Sequence, residues 1–477
     1  MARVAFVQNL AFEYLGVMYL SSLLKKNAHS VEAFIEHGQG MDKVLKELKS
    51  FDPQIIGFPC SSSSHQWVIA ASRLCKKYLP QARIILGGAH PTFFPEVIEE
   101  EPVDIICRGE GEYALLELAD KVDKKEDYSG VLNLWVKREG LILRNQVRPL
   151  IEDLDELPFP DRSLYAARYP FLNKSQKAFI TGRGCPFSCA YCFNHAFKKI
   201  YQDKGRMVRF RSADNIIREI KDVASGGSLK TVLIQDDTFG LNKSKSLEFL
   251  KRYAKEINLR FICLLRADLT DEELVMNLKN AGCMNVFFGI ESGSEPMRNL
   301  LLKKGISDEQ IYRMASLLKK YRIRFRAYNM FGLPGESLEE AFKTVELNIK
   351  IKTDYPWSAL FQPFPGTEMG DYARSRGMLE GDQSKFNPSF FMQSSVRLKD
   401  KREITNLRLL FFWAVKFPFL FPVIKRAIRL RLSFLYNILF LLGYAYCFKM
   451  SEGISLLETM RIGSNNIKNF IFYRGTN

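Results

Sequence analysis

The chain has 477 residues, with 69 Lys and Arg against 53 Asp and Glu, and therefore a formal charge of +16. Hydrophobic residues make up 47% and charged residues 26%, which excludes a disordered chain and predicts two or three folded domains. Six of the nine cysteines are scattered, so the composition excludes a disulfide framework and indicates a reducing compartment.

Short apolar strands alternate with helices over residues 1–145, the first predicted domain. The predicted strands are 4–8, 55–58, 84–86 and 104–107, and the predicted helices are 15–26, 66–78 and 113–122. This alternation predicts an α/β fold with a doubly wound, flavodoxin-like parallel sheet. Ligands of such sheets bind beyond the carboxyl ends of the strands, where the glycine turns of this segment fall. The N-terminus carries no export-signal pattern, which predicts a cytoplasmic protein.

A second alternating series occupies residues 176–375, after a predicted linker at 146–175 that contains Pro158 and Pro160. Its predicted strands are 178–181, 231–235, 261–265, 286–290, 326–330 and 359–362, and its predicted helices are 213–224, 244–257, 271–281, 308–321 and 338–350. Six β/α units predict a partial (β/α)6 barrel with its chemistry at the carboxyl ends of the strands. Residues 376–477 are predicted to form a helical, basic and aromatic C-terminal region.

The cysteine cluster follows the first strand of this second series. Cys185, Cys189 and Cys192 form a C-x3-C-x2-C run, one thiol fewer than a closed zinc or iron–sulfur site needs. A zinc site completed by His195 is one alternative. The spacing resembles that of the radical SAM superfamily, in which S-adenosylmethionine (SAM) binds the open iron of a [4Fe–4S] cluster. The resemblance implies reductive cleavage of SAM to a 5′-deoxyadenosyl radical.

Polar residues and glycines at the later strand ends resemble the SAM-binding parts of that superfamily. SAM is a zwitterion, so it needs carboxylates, a cation and close backbone approach. The resemblance implies Glu291 for the SAM amine or ribose and Arg266 for its carboxylate, although an ordinary salt bridge is an alternative for Arg266. The complete implied set is Tyr191, Gln235, Asp236, Asp237, Arg266, Glu291, Ser292, Gly332 and Pro334. A further turn, at 363–367, follows the sixth strand.

The N-terminal domain resembles the cobalamin (B12)-binding domain that many radical SAM enzymes carry. The residues that the resemblance implies are Leu15, Gly16, Ser61, Ser62, Gly87, Gly88, His90, Gly109, Glu110, Gly111 and Glu112. The Asp-x-His-x-x-Gly motif of domains with a histidine below the cobalt is missing from the sequence. We therefore expect cobalamin without a histidine ligand, with His90 in a structural role, or a fold that has lost the cofactor.

The combined resemblance implies methylation of an unactivated carbon, through a 5′-deoxyadenosyl radical and methylcobalamin. The first alternative is a cyclisation or rearrangement without methyl transfer, because the chain also resembles the anaerobic cyclase of bacteriochlorophyll synthesis. A second is a tRNA methylthiotransferase, which would need a second cluster from Cys60, Cys75 and Cys107. The third is a non-catalytic cobalamin or SAM sensor, against which the intact cysteine trio argues.

The positive charge is concentrated near the C-terminus, where Lys and Arg outnumber Asp and Glu by eleven to two over residues 397–449. Residues 432–448 are uncharged, and a packed helix, a helix on a membrane surface and a membrane span remain open. We expect a small-molecule substrate of hydrophobic or lipid-like character, a reductant such as flavodoxin or ferredoxin, and peripheral contact with the inner face of a membrane. The pattern disfavours nucleic acid as a partner.

Overall fold

The computed structural model describes residues 1–37, 40–364, 366–380, 394–455, 457–460 and 463. The chain divides into two compact units. The first unit contains residues 1–173 and 196–209, and the second contains residues 174–195 and 210–461. Part of the turn at 363–367 and much of the tail beyond 460 lie outside the described residues.

The first unit is built on a seven-stranded sheet. Its strands are β1 (Arg3–Gln8), β2 (Ser30–Ile35), β3 (Ile55–Pro59), β4 (Arg83–Gly87), β5 (Ile105–Cys107), β6 (Leu134–Arg138) and β7 (Leu141–Arg144). Its helices are α1 (Leu15–Lys26), α2 (Gly40–Phe51), α3 (His65–Tyr78), α4 (Ala89–Phe93), α5 (Glu112–Lys124) and α6 (Ser163–Ala166).

The strand order is β2-β1-β3-β4-β5-β6-β7, and the first five strands are parallel. That parallel order is the flavodoxin-like one, so the predicted fold class of this unit is confirmed. The strands β6 and β7 pair antiparallel through a tight turn in which Glu139 and Gly140 have φ values of 52° and 79°. Two consecutive positive φ values match the hairpin turn that suits the twist of its strands.

The segment predicted as a linker packs onto the first unit. The side chain of Tyr165 is fully buried, and its hydroxyl donates a hydrogen bond to Gln8 Oε1 at 2.8 Å. Leu164 and Leu172 are buried in the same hydrophobic cluster as the inner faces of β1 and α5. Residues up to 173 therefore contribute to the core of this unit.

The second unit begins the other sheet at β8 (Gln176–Phe179). The remaining strands are β9 (Gly182–Arg183), β10 (Arg209–Phe210), β11 (Thr231–Ile234), β12 (Arg260–Leu265), β13 (Cys283–Glu291), β14 (Arg324–Phe331) and β15 (Tyr355–Leu360). The next helix in the chain, α7 (Asn194–Ile200), belongs mostly to the first unit. The helices of the second unit in this series are α8 (Ala213–Ser225), α9 (Lys243–Glu256), α10 (Glu272–Asn280), α11 (Asp308–Lys320), α12 (Leu338–Lys350) and α13 (Glu368–Ser375).

Six of these strands pair in the order β8-β11-β12-β13-β14-β15, and every pairing is parallel. Sequential parallel strands joined by helices form the predicted partial barrel, in which β8 and β15 are the edge strands. Phe179, Phe261 and Phe325 are fully buried in the core between sheet and helices. The carboxyl ends of all six strands therefore lie on one side of this unit.

The C-terminal region is helical within its described residues, as predicted. It contains α14 (Lys401–Lys416), α15 (Phe421–Ala427) and α16 (Ser433–Glu452). These helices share a hydrophobic cluster with α12 and the end of β14, in which Phe331 and Phe411 are fully buried. The helix α16 is long and apolar enough to cross a membrane by length and composition.

Candidate functional site: the cysteine loop and the glycine turns

The three clustered cysteines lie on the loop that follows β8, at the carboxyl side of the six parallel strands. Cys185 and Cys189 are buried and Cys192 is partly buried. Burial, together with the charges of Cys189, Asp237 and Cys185, raises the pKa of Cys192 to about 11. In the described part of the chain, no group of three or more His, Cys, Asp or Glu side chains is arranged so that it could hold a metal ion.

The donor set nevertheless fits an iron–sulfur cluster. Three soft thiols lie on one short loop and interact electrostatically, since the pKa of Cys185 is also raised by burial and by Cys189. Thiolates are the protein ligands of iron–sulfur clusters, and metal binding releases the thiol protons. A set of three would leave one iron of a four-iron cluster without a protein ligand.

Asp236 holds the chain at the entry to the loop. Its carboxylate accepts hydrogen bonds from the backbone N–H of Thr181 at 2.7 Å and of Gly182 at 3.4 Å, and from the Thr181 hydroxyl. Asp236 is buried, and this burial raises its pKa to about 6. The SAM contact of this carboxylate stays a prediction, and in the structure both of its oxygens accept hydrogen bonds from the loop.

Asp237 contacts the loop at two further points. Its carboxylate accepts hydrogen bonds from the Asn194 side chain and from the backbone N–H of Gly184. Asp236 and Asp237 both come just after β11, so the end of one strand binds the cysteine loop before Cys185 and after Cys192. Gln235, which precedes them, is exposed.

The middle of the loop is held by residues that follow later strands. The backbone N–H of Ala190 donates to Leu302 O at 2.9 Å, and Ala190 O accepts from the Met369 N–H at 2.8 Å. Leu302 follows a π-helical turn at Met297–Leu301, a rare geometry that is frequent at functional sites.

Tyr191 meets Glu291 and Lys304 in a compact polar cluster. Glu291 Oε1 accepts from Tyr191 Oη at 3.0 Å and from Lys304 Nζ at 2.9 Å, and Lys304 Nζ lies 3.0 Å from Tyr191 Oη. Glu291 and Lys304 are both buried, which strengthens their ion pair. Two predicted SAM residues, Tyr191 and Glu291, are therefore brought together.

The backbone at Glu291 is strained, with a φ of 68° at a residue that is not glycine. Such strain persists only where the surroundings impose it, and it concentrates at functional sites. Gly289 permits this arrangement because a Cβ there would lie 1.9 Å from Glu291 Oε1. Ser292 is buried, and its hydroxyl accepts a hydrogen bond from the Ser294 N–H at 3.2 Å.

Arg266 lies against the loop but is already paired. Its guanidinium forms two hydrogen bonds with Asp268, at 3.0 and 3.1 Å, and donates to Lys304 O at 2.8 Å. It also stacks on Phe187, 3.5 Å from the ring centroid, and its Nη1 lies 3.8 Å from Cys189 Sγ. The salt bridge considered in the sequence analysis is present, and the same cation is a neighbour of the cysteine thiols.

The turn after β14 contains Gly332 and Pro334, both buried. Gly332 has a φ of +75°, a conformation that favours glycine. The carboxylate of Glu336 accepts the backbone N–H groups of Gly332 and Leu333 at 2.5 and 3.2 Å and so closes the turn. These contacts give Gly332 a structural role in the turn, and the SAM contact of Gly332 and Pro334 stays a prediction.

The glycines of the first unit fall into two groups. A Cβ at Gly16 or Gly87 would meet no atom within 4 Å, so both positions border open space where a ligand could approach the backbone. A Cβ at Gly109 would lie 1.9 Å from Tyr201 Oη, and Gly109 has a φ of +80°. Gly88 has a φ of +102°, and a Cβ there would lie 3.0 Å from Cys60 O. The protein itself therefore explains Gly109 and Gly88.

His90 is a buried, packed residue. Its ring stacks on His65 and Phe94, with centroid distances of 4.6 and 5.0 Å, and its Nδ1 lies 3.1 Å from Ser62 Oγ. Burial, together with His65, lowers the pKa of His90 to about 3, so the ring is neutral. Ser61, beside Ser62, hydrogen-bonds to Ser63 and Ser64 at 3.0 Å.

The acidic residues of the third glycine turn serve the first unit itself. Glu110 forms a two-pronged ion pair with buried Arg209, with both N–O distances at 2.9 Å, and accepts the Ile151 N–H at 3.1 Å. Gly111 is the N-cap of α5, and Glu112, its first residue, is buried. Leu15 begins α1 and is only partly buried.

The structure does not gather the three cysteines that a second cluster would need. Cys75 lies within α3 and Cys107 ends β5, whereas Cys60 follows β3. Cys60 and Cys75 are buried in one hydrophobic cluster and Cys107 in another. Burial raises the pKa of both Cys75 and Cys107 to about 12, as expected of structural thiols.

Three contact residues were not predicted from the sequence: Thr181, Asn194 and Lys304. The signal for Lys304 was weak, because it is one of two consecutive lysines before a glycine, a pattern that usually indicates a solvent-exposed turn. Asn194 lies two residues after Cys192, and Thr181 ends the predicted strand 178–181, so proximity in sequence could have indicated both.

Comparison with known proteins agrees with this geometry. The profile of the radical SAM superfamily matches residues 179–347, and that of the B12-binding domain matches residues 9–119. An uncharacterized methyltransferase of Pyrococcus horikoshii is 29% identical over 371 residues, covering 76% of this chain and 79% of that protein.

Two further similarities belong to a cyclase and to a solved structure. The anaerobic magnesium-protoporphyrin IX monomethyl ester cyclase of Rubrivivax gelatinosus is 27% identical, covering 74% of this chain and 66% of the cyclase. The structure of the cobalamin-dependent SAM radical enzyme OxsB superposes with a TM-score of 0.70 at 18% identity, covering 98% of this chain and 75% of OxsB. At that identity the likeness concerns the fold.

Proposed function

The chain belongs to the radical SAM enzymes that carry a B12-binding domain, and from this premise we propose that it transfers a methyl group from SAM to an unactivated carbon of its substrate. The observation that carries the proposal is the cysteine loop. Three thiols lie at the carboxyl ends of six parallel strands, in a chain whose other unit is a flavodoxin-like sheet with open glycine positions.

The cofactors follow from the two units. When bound, a [4Fe–4S] cluster would supply the electron that cleaves SAM, and cobalamin would carry the methyl group. We assign the cluster to Cys185, Cys189 and Cys192, whose thiols are the soft donors that such a cluster requires. We assign cobalamin to the glycine turns of the first unit, where Gly16 and Gly87 leave the backbone accessible.

The chain's own residues would position SAM beside the loop. Glu291 is the carboxylate for the SAM amine, because its Oε1 already binds the ammonium group of Lys304 at 2.9 Å. Arg266 and Lys304 are the two candidate cations for the SAM carboxylate, and each has a carboxylate partner in the structure, Asp268 and Glu291 respectively. Asp236 and Asp237 hold the loop, so their contribution is to position the cysteines.

We propose that the cobalamin has no histidine ligand. The sequence lacks the Asp-x-His-x-x-Gly motif, and His90 is buried between His65 and Phe94 with its Nδ1 against Ser62. Electron paramagnetic resonance of the reduced cobalt form bound to the chain tests this. With the histidines of the chain labelled with 15N, a histidine ligand would split the signal into doublets, whereas the benzimidazole nitrogen of cobalamin itself gives triplets. We expect no doublet splitting, and doublets would overturn this assignment.

Methyl transfer is favoured by the Pyrococcus horikoshii relative, which is named a methyltransferase. It can be tested before the substrate is known. The full-length chain is reconstituted anaerobically with iron, sulfide and hydroxocobalamin, reduced, and given SAM without substrate. We expect S-adenosylhomocysteine in stoichiometric amount to bound cobalamin, because the methyl group must first leave SAM. Omitting cobalamin is the control and should abolish this product.

The second candidate is a cyclisation without methyl transfer. It is favoured by the similarity to the cyclase of Rubrivivax gelatinosus. Such an enzyme would release 5′-deoxyadenosine but no cobalamin-dependent S-adenosylhomocysteine. That result would overturn the methyl-transfer proposal and leave the family assignment intact.

A further inference from the structure

The C-terminal helices carry an apolar face that the proposed chemistry does not use. Eleven of the twenty-two exposed large hydrophobic side chains among the described residues lie between positions 417 and 446. We call them the C-terminal apolar face: Phe417, Phe419, Val423, Leu430, Leu432, Phe434, Leu435, Ile438, Leu441, Leu442 and Tyr446. A concentration of this kind marks a binding surface, whereas scattered exposed hydrophobics do not.

One side of α16 is firmly packed in the second unit. Tyr436, Gly443 and Cys447 are buried, and a Cβ at Gly443 would lie 2.7 Å from the ring of Phe412 on α14. The Trp413 indole N–H donates a hydrogen bond to Leu439 O at 3.0 Å, which also joins the two helices. The helix thus lies along α14 and is not a separate element.

The last turn of α16 is tied into the barrel. Glu452 forms an ion pair with Arg326 of β14 at 2.8 Å, and both side chains are buried. Asn285 Nδ2 donates to Ser451 O at 2.5 Å. Breaking a buried ion pair leaves an uncompensated charge, so α16 cannot leave the barrel at low cost to cross a bilayer. A membrane span is therefore disfavoured, although the helix is long enough for one.

The opposite side of α16 is open to solvent. Leu435, Ile438, Leu442 and Tyr446 follow one another at spacings of three and four residues, which places them on one face of the helix. Phe434, which is 80% exposed, lies at the start of the same helix. In water this face has a free-energy cost that an apolar partner would remove.

The positive charge around this face indicates an anionic partner. Residues 416–449 contain six cations and no Asp or Glu. Arg426, Arg429 and Arg431 are exposed, next to Leu430 and Leu432 of the apolar face. An apolar face beside a row of cations matches the two parts of an anionic lipid surface, its acyl region and its headgroups.

We propose that the C-terminal apolar face docks onto an anionic membrane surface, with α16 lying in the interface and the adjacent arginines on the phosphate headgroups. Two weak signals acting together, apolar burial and charge, are what reversible membrane binding requires. The proposal does not depend on the cofactors or on the reaction. It places the second unit at the membrane without crossing it.

Vesicle co-sedimentation of the full-length chain tests the proposal. The probes are vesicles of phosphatidylcholine alone and of phosphatidylcholine mixed with phosphatidylglycerol. We expect binding to the mixed vesicles that weakens with added salt, and about tenfold less binding to the neutral vesicles. The double variant Phe434→Ser with Leu442→Ser, and separately Arg426→Glu with Arg431→Glu, should each weaken binding about tenfold.

The matched control is Leu300→Ser, since Leu300 is 81% exposed in the same unit but outside the apolar face. It should bind vesicles as the unchanged chain does. Equal binding of the serine double variant and the unchanged chain would overturn the proposal. So would a lack of vesicle binding together with self-association that the same variant abolishes, because the face would then be an interface between copies of this chain.

Discussion

Glu336 should make the stability of the protein depend on pH in the neutral range. Its carboxyl group is 3% exposed, and Oε1 has no hydrogen-bond partner among the described residues, although Oε2 accepts two backbone N–H groups. Burial raises its pKa from 4.5 to about 8, which outweighs the two hydrogen bonds that favour the ionised form.

The sign follows from proton binding. Between pH 4.5 and about 8 the folded chain keeps the Glu336 proton while the unfolded chain loses it, so the free energy of unfolding falls as the pH rises. At about 1.4 kcal/mol per pH unit, the change from about pH 5 to about pH 7.5 amounts to about 3 kcal/mol. Below pH 4.5 the effect vanishes, because both states are protonated.

Glu336→Gln removes this ionisation and keeps an amide oxygen for Gly332 and Leu333. The test is urea unfolding of the full-length chain, followed by circular dichroism at about pH 5 and about pH 7.5. From the lower to the higher pH, the free energy of unfolding of the variant should rise by about 3 kcal/mol relative to that of the unchanged chain. The control Glu339→Gln removes an exposed carboxylate from the first turn of α12, three residues after Glu336, and should change nothing. Parallel pH curves for the Glu336 variant and the unchanged chain would refute the reasoning.

Three further predictions address packing and the loop. Gly109→Ala should lower the free energy of unfolding by about 2 kcal/mol or more, because its Cβ would lie 1.9 Å from Tyr201 Oη at a φ of +80°. Gly87→Ala places its Cβ in open space and should lower the free energy of unfolding far less. Equal melting temperatures of the Gly109→Ala and Gly87→Ala variants would contradict this expectation. Asp236→Asn should leave the fold intact but weaken iron binding about tenfold in anaerobic reconstitution, since the loop loses its charged hydrogen-bond acceptor. The control is Asp222→Asn, which changes an exposed carboxylate. If both variants bind as much iron as the unchanged chain, Asp236 does not position the cysteines. Glu452→Gln should lower the free energy of unfolding by about 3 kcal/mol, because Arg326 would stay buried without its ion partner. An unchanged urea midpoint would show that this ion pair does not anchor α16.

Amphipathic helices were predicted best from the sequence. The predicted helices 15–26 and 338–350 have the bounds of α1 and α12 in the structure. The fourth barrel strand, predicted at 286–290, extends over Cys283–Glu291. Periodicity and helix-start residues such as Ser337 at the N-cap of α12 are local signals, so no tertiary information was needed.

Several strands were missed or misplaced in the sequence-based prediction, because the sequence does not show which strands lie at the edge of a sheet. The sixth barrel strand was predicted at 359–362 but is Tyr355–Leu360, and Pro356 obscured its start. Proline is tolerated there because β15 is an edge strand. The hairpin β6–β7 was also missed, although its Glu139-Gly140 turn between two apolar runs was a readable signal.

At the candidate site, residue types were easier to predict than partners. The sequence indicated that Asp236, Arg266 and Glu291 lie at strand ends, and the structure places all three there. It could not show that Asp236 binds Thr181, or that Arg266 pairs with Asp268, because those contacts depend on how loops fold back onto the strand ends. A polar strand end can serve either a ligand or a neighbouring loop, and only the three-dimensional contacts distinguish the two.

The central claim is that Cys185, Cys189 and Cys192 bind a cluster that cleaves SAM. Its most direct test is the release of 5′-deoxyadenosine from SAM by the anaerobically reconstituted, reduced chain, measured together with iron content. We expect release by the unchanged chain and by the control Cys75→Ala, whose thiol is buried in α3. We expect Cys189→Ala to lose it. Release from Cys189→Ala at the rate of the unchanged chain would contradict the account.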